Sequence, residues 1–240
     1  MTDKNLTEIV AIIDRSGSMQ NLSSDTIGGF NSFIESQKNT EGRALITRVQ
    51  FDDEYQIDYQ GVDVNEAPLL DESSYTPRGT TALFDAVGRT VNTIGQRLAA
   101  TPEHERPGQV IFVIITDGLE NASKEFGSRA DGGSKLRDMV NHQIEKYSWQ
   151  FIYLGGGDLE SQKKQGASLG IRTSNVYGYS NNSGGTKALY TNVGAALSRR
   201  RMGAAAGAVY SADASVLNKQ EAESLIVDDN KAPSVKLTSE

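Results

Sequence analysis

The spacing of apolar positions changes period along the chain, and each change predicts an element. "EIVAIID" (Glu8 to Asp14) is a near-continuous apolar run, the pattern of a strand buried on both faces. In "SSDTIGGFNSFIESQK", Ile27, Phe30 and Ile34 fall at helical spacing, with Ser23 or Ser24 as candidate N-cap. "ALITRVQFDDEYQIDYQ" alternates at period two through Leu45, Thr47, Val49 and Phe51, as a half-buried strand does, and "FDDEY" marks a turn into a hairpin partner. Leu83, Val87, Val91, Ile94 and Leu98 form a helical stripe, which "TPEHERPG" ends. "QVIFVIITDG" is the strongest strand signal, a run of β-branched and aromatic residues stopped by Thr-Asp-Gly. A helix on Leu136, Met139, Val140 and Ile144, a buried strand in "WQFIYLGGGD", a short helix, a weak strand near "SNVYGYS" and a last helix in "GTKALYTNVGAALSRR" follow.

Strands that alternate with helices pair in parallel and carry helices on both faces. The pattern therefore predicts an α/β fold: a doubly wound, mostly parallel sheet with one antiparallel edge strand, over about residues 6–200. From residue 201 to 240 the chain turns rich in Ala, Ser and acidic residues, which predicts a flexible or partly helical tail.

Composition narrows the function. The 240 residues carry a net charge of −7, with "SRRRM" (Ser198 to Met202) as the one basic cluster, read as a solvated helix end. Nucleic acid is thereby disfavoured as a partner, since phosphate binding needs clustered Lys and Arg. There is no cysteine, which removes disulfides, thiolate metal sites and cysteine nucleophiles together. The two histidines, His104 and His142, are too few for a His-rich zinc site. The polar start of the chain carries no signal-peptide pattern, and no apolar run approaches the roughly 18 residues of a spanning helix. The expectation is a cytoplasmic protein without membrane insertion.

Three loops carry candidate chemistry. "DRSGS" follows the first strand, "PRGTTALFDAV" precedes the second helix, and "TDG" ends the strongest strand. In a parallel sheet the first and third lie on one carboxyl edge, where open α/β sheets place their ligands. They offer Asp14, Ser16, Ser18, a threonine hydroxyl and Asp117: two carboxylates and three neutral hydroxyls. A hard divalent cation, Mg²⁺ (or Mn²⁺), takes an all-oxygen set of this kind.

Taken together, "DRSGS", "GTTALFDAV" and "TDG" resemble the metal-ion-dependent adhesion site of von Willebrand factor type A domains. That motif is Asp-x-Ser-x-Ser, a later Thr, then an Asp usually followed by Gly. The resemblance covers nearly all of residues 6–200. It implies Ser16, Ser18 and a threonine as hydroxyl ligands, with Asp14 and Asp117 binding directly or through water. Family members often read Gly-Gly-Thr-Ala-Leu, which aligns Thr81 with the ligand and puts Thr80 where the second Gly stands. An N-cap hydroxyl is the alternative role for either threonine.

The resemblance implies a non-enzymatic protein-binding domain whose metal is completed by an Asp or Glu of a partner. The alternatives are an accessory subunit of a larger complex with a structural metal, and a metal-dependent phosphate-ester hydrolase. Aspartyl phosphatases of the haloacid dehalogenase kind use Asp-x-Asp, and here Ser16 stands where the second Asp would serve as acid and base. "GASLG" (Gly166 to Gly170) matches a hydrolase Gly-x-Ser-x-Gly but follows a helix instead of a strand, which speaks against Ser168 as a nucleophile.

Overall fold

The computed structural model describes residues 1–127, 132–180 and 182–203. Six strands form one sheet in the order β3-β2-β1-β4-β5-β6. They are β1 (Asp3–Asp14), β2 (Arg43–Phe51), β3 (Tyr55–Asp63), β4 (Pro107–Thr116), β5 (Gln150–Gly156) and β6 (Val176–Tyr179). Among the described residues four α-helices connect them, α1 (Ser23–Lys38), α2 (Leu83–Ala100), α3 (Gly132–Tyr147) and α4 (Leu159–Ser168), and α5 (Ser183–Arg201) follows β6. All pairings are parallel except β2 with β3, the antiparallel edge. The expected doubly wound α/β fold with one antiparallel edge strand is what forms.

Strand period two sorts the core into two layers. Ile9, Ala11 and Ile13 of β1 face Phe30, Phe33 and Ile34 of α1 and Leu189, Tyr190, Val193 and Leu197 of α5. Val10 and Ile12 face Leu83, Val87, Val91 and Ile94 of α2 with Leu136 and Val140 of α3. The chain leaves β1 through α1 to β2 on one side, then returns through α2 to β4 on the other. The order thus reverses at β1, and a crevice opens beyond the carboxyl ends of β1 and β4.

Three local expectations change. Ser23 and Ser24 lie inside α1, whose N-cap is Leu22 without a side-chain cap, because a short 3-10 helix (Gly17–Leu22) runs straight into it. β2 is buried on both faces beyond Leu45 instead of on one. Its polar side, Arg48 and Gln50, is covered by the segment after β3: Arg48 Nη1 donates to Pro68 C=O (2.9 Å) and Gln50 Nε2 to Ser74 C=O (2.8 Å). The basic cluster is no solvated end. Arg201 closes α5 and its Nη1 donates to Gln37 C=O in the last turn of α1 (2.7 Å), the negative end of that helix. Arg200 is buried and donates to Gln150 Oε1 (2.9 Å). The remainder of the expected tail, residues 204–240, lies outside the described residues.

Candidate metal centre

Asp14 ends β1 with its side chain on the α2 face, and it is 0% exposed. Its Oδ1 accepts the Ser16 N–H (2.7 Å), which turns the chain out of the strand. Its Oδ2 accepts the Thr116 hydroxyl from the end of β4 (2.5 Å). The Tyr75 hydroxyl donates to the Asp14 carbonyl (2.6 Å) and holds the backbone from behind. Burial raises the Asp14 carboxyl to about 6, outweighing the Thr116 and Ser16 bonds that lower it.

The other predicted residues gather in front of it. Ser16 Oγ lies 3.1 Å from Ser18 Oγ, and the Ser18 hydroxyl donates to Asp117 Oδ1 (2.6 Å). Asp117 is half-buried, and desolvation raises its carboxyl too. The adjacent Gly118 connects the third loop to the set. A Cβ built there would stand 3.4 Å from Thr81 Oγ1 and 3.6 Å from Ser18 Oγ. Hydroxyls from the first two loops therefore converge on one small space beside the third, which a side chain at 118 would enter. Neither carboxylate has a cationic side chain among the causes that shift it. Among the described residues no group of three His, Cys, Asp or Glu side chains gathers anywhere, so this centre depends on its hydroxyls. Two carboxylates drawn together and desolvated, with three hydroxyls and no counter-charge, fit a hard divalent cation.

The two threonines separate cleanly. Thr81 is 3% exposed with its hydroxyl in the cluster, while Thr80 is exposed. Neither is the N-cap of α2, which is Ala82. The cap role falls to Glu120, whose Oε2 accepts the Phe84 N–H in the first turn of α2 (2.8 Å).

Sequence reasoning left Glu120 and Asn121 unassigned, and it did not find their partners. Asn121 Oδ1 accepts the Thr81 N–H (2.9 Å), and the Thr81 carbonyl accepts the Asn121 N–H (3.0 Å). Asp85, in the first turn of α2, accepts the N–H groups of Lys124 (2.8 Å), Glu125 (3.0 Å) and Phe126 (2.7 Å). From α4, Gln165 Oε1 accepts the Glu120 N–H (2.6 Å), and its Nε2 donates to the Gly118 carbonyl (3.2 Å) and Tyr153 Oη (2.5 Å). The "GASLG" segment thus serves the site through Gln165, immediately before it. Ser168 itself is half-buried at the end of α4 and donates to the Lys164 carbonyl (3.0 Å). The one legible signal was position: polar residues directly after "TDG" on the carboxyl edge.

No family model and no curated relative matches the sequence. Solved structures match its fold. A von Willebrand factor type A protein from Catenulispora acidiphila superposes with a TM-score of 0.51 at 14% identity, over 82% of this chain and 43% of that one. The pilus adhesin SpaC from Lactobacillus rhamnosus GG gives 0.59 at 11% identity, over 81% and 31%. Proximal thread matrix protein 1 from the mussel byssus, with a zinc-occupied MIDAS motif, gives 0.50 at 16% identity, over 78% and 44%. The chain spans less than half the length of these solved chains. Its fold is that of the von Willebrand factor type A domain, the Rossmann-like sheet with its crevice at the end of β1. Among the described residues no helix is long and apolar enough to cross a membrane.

Proposed function

We propose that this protein is a divalent-metal-dependent protein-binding domain, in which Asp14, Ser16, Ser18, Thr81 and Asp117 hold Mg²⁺ (or Mn²⁺). The observation that carries the reading is the convergence of three loops around Gly118: the Ser18 and Thr81 hydroxyls face that glycine, beside two desolvated carboxylates. When bound, the ion supplies an open coordination position to an incoming Asp or Glu of a partner protein. The chain's own residues prepare that encounter. Asp14, buried and bonded to Ser16 and Thr116, fixes the floor of the site. Ser18 is exposed and Asp117 half-buried, so the set opens to solvent on that side.

The neighbours support a binding role in kind: one is a pilus adhesin and one a matrix protein. A hydrolase would need a general acid or base beside the metal. Position 16, where related phosphatases place it, holds a serine hydroxyl bonded to Ser18.

Thermal unfolding across a Mg²⁺ and Mn²⁺ titration tests the site. At about 100 times the dissociation constant, the ion stabilises the native state by roughly 2.7 kcal/mol. The gain is expected in the native sequence and absent in Asp14→Ala and Asp117→Ala. An equal gain in those variants would remove the assignment.

A further inference from the structure

On the β2–β3 side of the metal centre the surface carries a pocket of about 600 Å³. Its lining brings together three guanidinium groups, those of Arg15, Arg48 and Arg78, against a single carboxylate, Asp58. Asp58 is already spent: Oδ2 accepts from Arg48 Nε and Gln50 Nε2, each at 2.7 Å, and Oδ1 from Gln56 Nε2 at 2.7 Å. Arg15 and Arg78 share a second carboxylate, Asp52, which meets their Nε atoms at 3.1 and 2.8 Å. Asp52 is fully buried and lies behind the lining. Glu54 meets Arg78 from the exposed outer side and is outside the lining as well. The pocket wall therefore carries three guanidinium groups and one bonded carboxylate, with the other two paired carboxylates outside the lining. Arginine cannot shed its charge by deprotonation. The Ser73 and Thr76 side chains and the half-exposed Ile57 complete a wall with both polar and apolar character.

The pocket is joined to the metal loop through the chain at Arg15. Arg15 follows Asp14 directly, so their Cα atoms stand about 3.8 Å apart. The Arg15 carbonyl also accepts the Arg78 N–H (2.8 Å), which ties the pocket's far wall to the metal loop. We propose that this pocket takes a second acidic side chain from the same partner segment whose first acidic side chain reaches the metal. The inference rests on the metal reading above for the first contact only. An extended chain advances about 3.3 Å per residue, so a second acid a few positions from the first reaches a neighbouring site on the same segment. A glutamate suits the pocket: its methylenes meet Ile57 and its carboxylate meets the guanidinium fork.

The test follows the arginine Nε–Hε resonances of ¹⁵N-labelled protein on addition of two Gly/Ser peptides, one with a single Glu, one with a second Glu three positions on. Each peptide is added with Mg²⁺ and with chelator. With Mg²⁺, the two-Glu peptide is expected to bind about tenfold more tightly, the scale of one charge-assisted bond. It alone should move the Arg15 and Arg78 signals. Arg78→Glu should erase that advantage while leaving single-Glu binding and the metal-induced thermal shift unchanged. Equal affinities for the two peptides, or arginine signals that stay still at millimolar peptide, overturn the pocket. If inorganic phosphate moves the same signals as strongly, the choice of an acidic peptide is overturned. If the ion fails to stabilise the protein, the metal reading falls separately. The chelator arm then still decides the pocket, by whether the two-Glu peptide moves Arg15 and Arg78 without the ion.

Discussion

The two flanks of Asp14 are built from similar residues and end in opposite states. On the α2 side, Glu120 and Asp85 spend their oxygens on backbone N–H groups, and Asn121 locks Thr81. On the β2–β3 side, Asp52 and Asp58 spend theirs on arginines that line a pocket. The difference is one of partner type. A carboxylate that satisfies main-chain donors freezes a loop and leaves no charge to offer. A carboxylate that holds a guanidinium by its Nε edge positions a cation that still has donors to give. The first flank is expected to control stability, and the second recognition.

Asp85 should show the largest effect. Its replacement by Ala strands three loop N–H groups in a partly buried region, and charged hydrogen bonds of this kind contribute about 1.5–3 kcal/mol each at most. We expect Asp85→Ala to destabilise the fold by about 3 kcal/mol in urea unfolding. Arg78→Gln, on a side chain 52% exposed, should cost far less, because solvent screens its ion pairs. Equal losses would erase the distinction between the flanks.

The floor between them titrates. Burial holds the Asp14 carboxyl at about 6, above its unfolded value, so the native state binds the proton more tightly. That stabilisation is complete below the unfolded pKa, near 4, and is lost as pH rises through about 6. For metal-free protein the shift corresponds to about 3 kcal/mol between pH 4 and pH 7. The measurement is the difference in unfolding free energy between the native sequence and Asp14→Asn across that range. The difference should shrink at saturating Mg²⁺, because an occupied site favours the ionised carboxylate. A difference that is flat in chelator would contradict the burial argument.

What the sequence showed and what it hid follow from range. The strands were legible because β1 and β4 are buried on both faces and read as unbroken apolar runs. The parts "DRSGS" and "TDG" were legible because each is one loop fixed by its own strand. The Glu120 cap, the Asp85 clamp and the Gln165 brace were not, because each joins residues 36 to 45 positions apart. A lone Gln or Asp on a helix gives no sign of which backbone it will meet. Arg200 and Arg201 failed for the same reason: a basic helix end looks solvated until a distant strand's Gln150 side chain and a distant helix's carbonyl arrive.

The smallest effect divides two adjacent residues between the flanks. Thr80 is exposed, and its N–H reaches toward Asp53 after β2 at 3.4 Å. Thr81 is buried, and its N–H and carbonyl are both held by Asn121 on the opposite flank. One peptide bond carries the chain from the open side to the locked side, and only the second hydroxyl enters the cluster around Gly118. Thr80→Ala should leave the metal-induced thermal shift unchanged and alter stability by under about 0.5 kcal/mol. Thr81→Ala should abolish most of that shift, and Thr81→Ser should restore it, because serine returns the hydroxyl while Thr81→Val keeps the shape without it. Loss at position 80 instead would move the hydroxyl donor across the flank boundary and assign the motif's threonine to the open side.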